Sequence, residues 1–102
     1  MKLIEKLNDK IEEEIQDARC YIKMALEYKD ENRVLAETLY TISTEEMRHM
    51  NLLHDQVVRI IEEYRRSNGE PPAEMMAVYE YLHGRNIDAA AEVRAMQAMY
   101  KE

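Results

Sequence analysis

Residues 22–42 read IKMALEYKDENRVLAETLYTI, two amphipathic runs parted by Asp30-Glu31-Asn32. On either side, apolar residues recur every three or four positions, the spacing of one face of an α-helix. Upstream the repeat is Ile4, Leu7, Ile11, Ala18, Ile22 and Ala25; downstream it is Leu35, Leu39, Ile42, Leu53, Val57, Ile60 and Tyr64. The three polar residues between the runs are too few for a linker. Two helices, over residues 2–29 and from about residue 33 to 67, must fold back on each other as an antiparallel pair. At 1.5 Å per residue they span roughly 40–50 Å.

The second run stops at Ser67-Asn68-Gly69, a helix C-terminus signal that Pro71 and Pro72 reinforce. Pro72 suits the first turn of a third helix ending near Leu82 or His83, where Gly84 closes it. Asn86 then caps a fourth helix, from Ile87 to Tyr100, with Asp88 in its first turn. The expected fold is all-α, a single domain over residues 1–102. A long hairpin (1–67) is followed by two shorter helices (70–102), each less than half the hairpin's length. Such helices cannot cover the hairpin as equal partners, so a second chain is expected to do so.

Composition points the same way. The 102 residues include two Gly, two Pro, seven Tyr, and no Trp or Phe. A sheet protein would need turn residues every ten positions or so. The formal net charge of −7 disfavours nucleic acid and anionic membranes, both of which call for a basic face. No apolar run approaches the ~20 residues of a membrane span. Cys20 is the lone cysteine, which fits a reducing compartment. The N-terminus is already amphipathic and carries no leader signature. The expected location is the cytoplasm.

Heptad spacing carries the pattern into polar residues. Along the first helix, positions 4, 7, 11, 14, 18, 21, 25 and 28 place Glu14 and Tyr21 in the apolar series. Along the second, 35, 39, 42, 46, 49, 53 and 60 place Glu46 and His49 there. Ile15 and Met50 are the apolar residues that compete for those places. A carboxylate in an apolar seam is strongly penalised unless something compensates it, and a divalent cation is the simplest candidate. Counting outward from a turn near residue 31 puts Glu14 level with the gap between Glu46 and His49. Those two are three apart and share one helix face. Two carboxylates and an imidazole suit iron or manganese, with zinc as the alternative.

Glu14, Tyr21 and Ala25, followed by Glu46-Met47-Arg48-His49, resemble the ferritin-like superfamily over roughly residues 4–65. The Glu and Glu-x-x-His pair is similar to the half-site of encapsulated ferritins and of the di-iron domain of rubrerythrins. That resemblance implies a ferritin-like four-helix bundle completed by dimerisation, a homodimer or higher homo-oligomer with a di-iron centre between subunits that oxidises Fe(II) with dioxygen or peroxide. Asp17 and Tyr21 would orient the ligands by hydrogen bonds. The chain departs from the family in several ways. It lacks four long helices, the rubredoxin-type cysteine pairs, and the short apolar, Gly-containing tail that targets encapsulated ferritins.

Two other readings remain at this level: a helical scaffold whose polar seam residues set register, and a metal-storage protein without turnover. Glu80 and His83 form a second, weaker Glu-x-x-His. His54 reads as a surface residue, Cys20 as inert, and Met75 and Met76 as core filler.

Overall fold

The computed structural model describes residues 2–102. Three helices make up the chain: α1 (Lys2–Tyr28), α2 (Arg33–Asn68) and α3 (Ala73–Lys101). They lie along one axis in a body of 56 × 20 × 18 Å. Among the described residues there is no strand, and no helix is long and apolar enough to cross a membrane.

The turn forms where the polar break stands. Asn32 accepts a hydrogen bond from the Leu35 backbone N–H through its side chain (3.1 Å), satisfying one of the free donors at the start of α2. At the other end Gly69, with φ of +79°, donates its backbone N–H to the Arg65 carbonyl. That dihedral suits a residue without Cβ.

The hairpin seam is built from Ile4, Ile11, Ile15, Ala18, Ile22 and Ala25 on α1. On α2 it is built from Ala36, Leu39, Ser43, Met47, Met50, Val57 and Ile61. On α2 most of the buried positions fall one residue later than the expected 35, 42, 46, 49 and 60. The offset is the same at Ala36 as at Ile61, and the buried positions 36, 43, 50 and 57 keep a seven-residue repeat, so the seam runs one position around α2 from the face read in the sequence. The small residues Ala18, Ala25, Ala36 and Ser43 are wholly buried and let the backbones approach. Where they meet, the Ser43 hydroxyl donates to the Ala18 carbonyl at 2.7 Å.

The C-terminal third departs from expectation. In place of two short helices there is one helix of 29 residues, about as long as α1. Gly84 lies inside it, and Asn86 caps nothing. Instead the buried Asn86 donates its amide N–H to the Asn8 side-chain oxygen at 2.9 Å. Glycine within a helix costs about 1 kcal/mol relative to alanine. Here tertiary contacts on both sides of Gly84 outweigh that local preference.

α3 packs chiefly along α1 and touches α2 on one side only. Arg19 pairs with Glu92 (3.0 Å), Gln97 donates to Ser43 (3.0 Å), and Tyr40 stacks on Tyr100 (centroids 4.8 Å apart). The opposite side of the hairpin has no helix over it. Leu35 and Leu3 are exposed there, and Ile42, Leu53, Ile60, Leu7 and Tyr21 are only half-buried.

Candidate metal centre

Glu14 stands midway along α1, on the uncovered side of the seam, because Ile15 takes the buried position beside it. On α2, Met47 and Met50 are buried in the same way, which leaves Glu46 and His49 on the same uncovered side. His49 lies about half a turn around α2 from Tyr40, the residue that α3 covers. The three side chains therefore flank the seam rather than fill it, a shift from the expected placement that follows from the same one-residue offset.

The hairpin nevertheless brings them together. His49 Nδ1 is 3.7 Å from Glu14 Oε2 and 3.9 Å from Glu46 Oε2. One donor atom from each residue lies within 4.8 Å of the others. These gaps exceed ordinary hydrogen-bond length. Donor atoms sharing one ion at about 2.0–2.2 Å stand roughly 3–4 Å apart, so the spacing resembles a ligand set more than a bonded ion pair. Among the described residues it is the one group of three or more acidic, histidine or cysteine side chains so arranged.

The electrostatics show two acids held too close. Glu46 is pushed up from 4.5 to about 7. Proton sharing with the Glu14 carboxyl comes first among the causes, then burial, then the Glu14 charge. His49 opposes the shift, and the charge of Asp17 adds to it. Glu14 Oε2 is buried without a hydrogen-bond partner, a costly state for an ionised oxygen. A cation would occupy that oxygen, displace the Glu46 proton and relieve the repulsion. The donor set, two carboxylates and one imidazole, fits iron or manganese, and zinc as the alternative. The His49 side chain is 42% exposed, against 23% and 20% for Glu14 and Glu46, so the cluster is open at its histidine.

The remaining candidates fall in different places. Asp17 is exposed and acts on Glu46 through charge. Tyr21 packs half-buried against the core. Among the described residues neither donates a hydrogen bond to a ligand. Glu80 is exposed, while His83 turns toward α2 and stacks on His54, with ring centroids 4.7 Å apart. Among the described residues Glu80 and His83 belong to no group of three side chains that could share an ion. His54, expected on the surface, is half-buried with its Nε2 sealed and unpartnered, because α3 packs beside it and His83 stacks on its ring. Cys20 is exposed. No family model, curated protein or solved structure matches the chain.

Proposed function

We propose that two copies of this chain form a ferritin-like protein that binds metal between them and oxidises Fe(II) with dioxygen or peroxide. The observation that carries this reading is the convergence of Glu14, Glu46 and His49 around a buried carboxylate oxygen that has no partner. One chain supplies a Glu and a Glu-x-x-His, half of the set that di-iron carboxylate bundles use. The uncovered side of the hairpin carries the cluster amid half-buried apolar residues. A two-fold partner seated there would supply the other half. Four carboxylates would then balance two divalent ions, with two neutral histidines completing the set.

Within that assembly Glu14 and Glu46 would hold the ions through their carboxylates, and His49 of each copy would supply a nitrogen. Glu46 gives up its proton when metal enters. Fe(II) is the substrate, and the bound ions supply electrons to the oxidant. Asp17 adds negative charge beside the entrance, which draws cations.

The test is metal analysis of protein purified without chelators, followed by anaerobic Fe(II) loading and rapid mixing with oxygen. About one ion per chain, lost in Glu46→Ala, supports the site, and a fast absorbance change on mixing supports turnover. Tight binding with no such change leaves storage. No bound metal after loading leaves a helical interaction module.

A further inference from the structure

Away from the metal cluster, α2 and α3 meet through three parallel rings. His83 stacks on His54 at 4.7 Å with 17° between planes, and Tyr79 stacks on His83 at 5.6 Å with 8°. His54 Nε2 is sealed without a partner even in the neutral ring. Charging His83 would place a cation in a partly buried site against that ring.

No carboxylate among the described residues of the adjoining cavity offsets that cost. The rings border a cavity of about 140 Å³ whose lining includes Asn8 from α1, Asn51 from α2, and Arg94 from α3. Among the described residues lining it, Arg94 carries the one fixed charge, and there is no carboxylate. His83 is accordingly lowered from 6.5, by burial first and by His54 second.

The two halves of α3 are tied down unequally. Beyond Gly84, Asn86 bonds Asn8, Glu92 pairs with Arg19, and Gln97 bonds Ser43. Tyr100 stacks on Tyr40, and its carbonyl accepts from Lys29. Before Gly84, the ring stack, a contact made by Met75 and apolar packing hold the helix beside an open cleft of about 420 Å³. That cleft is lined by Ile4, Ile61, Pro72 and Met76 among others. Gly84 itself is the weakest helix former in α3 and has no neighbour within 4 Å of where a Cβ would sit.

We propose that the His54–His83 stack is an acid-sensitive latch, and that its protonation frees residues 73–83 from the hairpin about a hinge at Gly84. The direction follows from linkage. Above 6.5 the imidazole is neutral whether docked or free, and the latch holds. As pH falls below 6.5 the freed His83 takes a proton that the docked ring refuses, and each further unit favours opening by up to about tenfold. Opening exposes the Met75–Met76 side of α3 while the hairpin and residues 85–101 stay in place.

The test is hydrogen exchange by mass spectrometry between pH 7.5 and 5, corrected for intrinsic exchange rates. The expected result is loss of protection in 73–83 at low pH, with 36–61 and 85–101 unchanged. His83→Phe keeps a stacking ring without the titration and should hold 73–83 protected throughout. Protection of 73–83 that does not change with pH overturns the proposal, and so does acid opening that persists in His83→Phe. Should that variant misfold, the His83 titration followed by NMR in the unaltered protein decides instead. A midpoint clearly below 6.5 supports the latch, and one at or above 6.5 overturns it.

Discussion

Glu46 is the residue on which metal binding and stability meet. Its carboxyl titrates near 7 rather than 4.5 because Glu14 shares its proton and the site is partly buried. Between those values the metal-free fold holds a proton that the unfolded chain has released. Metal-free stability from this group is therefore fully present below 4.5 and is lost as pH rises through 7. A cation needs the ionised form, so it competes with the proton. Divalent-metal affinity should fall as pH drops below about 7, and the metal-induced rise in melting temperature should be larger at pH 8 than at pH 6. Calorimetric titration in buffers of different ionisation enthalpy would read the released proton directly; an affinity indifferent to pH across this range would argue against a Glu46 ligand. Ser43 offers a second measurement at this scale. It is fully buried, donates to the Ala18 carbonyl and accepts from Gln97. Ser43→Ala strands the Gln97 amide and should cost about 1–2 kcal/mol in chemical denaturation.

Among the helices, local chemistry was legible and long-range compensation was not. The turn could be read because Asn32 meets its partner three residues away, and the end of α2 because Gly69 answers a backbone need at its own position. Glu14, Glu46 and His49 could be brought level because a short turn fixes the register of both arms. Which face they occupy depended on whether the seam runs through Glu14 or Ile15, through Glu46 or Met47; both choices keep a heptad repeat, and only packing against the other helices separates them. α3 was misread for the opposite reason. Its apolar residues follow no single stripe, and the contacts that carry it through Gly84 reach Asn8 and His54, far away in sequence. Gly84 is helical without the positive φ that demands glycine, and a Cβ there meets nothing within 4 Å. Gly84→Ala should therefore raise stability by roughly 0.5–1 kcal/mol. Measured by urea denaturation, no gain or a loss would mean that the helix needs its flexibility at this point.

Taken as a whole, the chain is a hairpin covered on one side. α3 protects the side that carries Asn8, Ser43 and His54, and leaves the Glu14–Glu46–His49 side without a cover. The proposed second copy would bury the partly exposed apolar residues that lie in line with this cluster. The net charge of −7 per chain opposes that pairing, and the two clusters would bring carboxylates face to face. Divalent metal removes this repulsion, so dimerisation and metal binding should strengthen each other by the same factor. Sedimentation velocity should show a dimer that tightens with Mn(II) or anaerobic Fe(II) and loosens with chelator. Ile42→Glu separates the face from the ligands. Ile42 is half-buried, one turn before Glu46 on the same side, and stands outside the buried core cluster. The substitution places a carboxylate in the proposed interface without touching a ligand. It should leave the helical signal and the α3 contacts intact, shift the protein to monomer, and weaken metal binding at least tenfold, about 1.4 kcal/mol. A variant that still dimerises and binds metal normally would place the interface elsewhere. A monomer with undiminished affinity would mean that one chain's three ligands suffice.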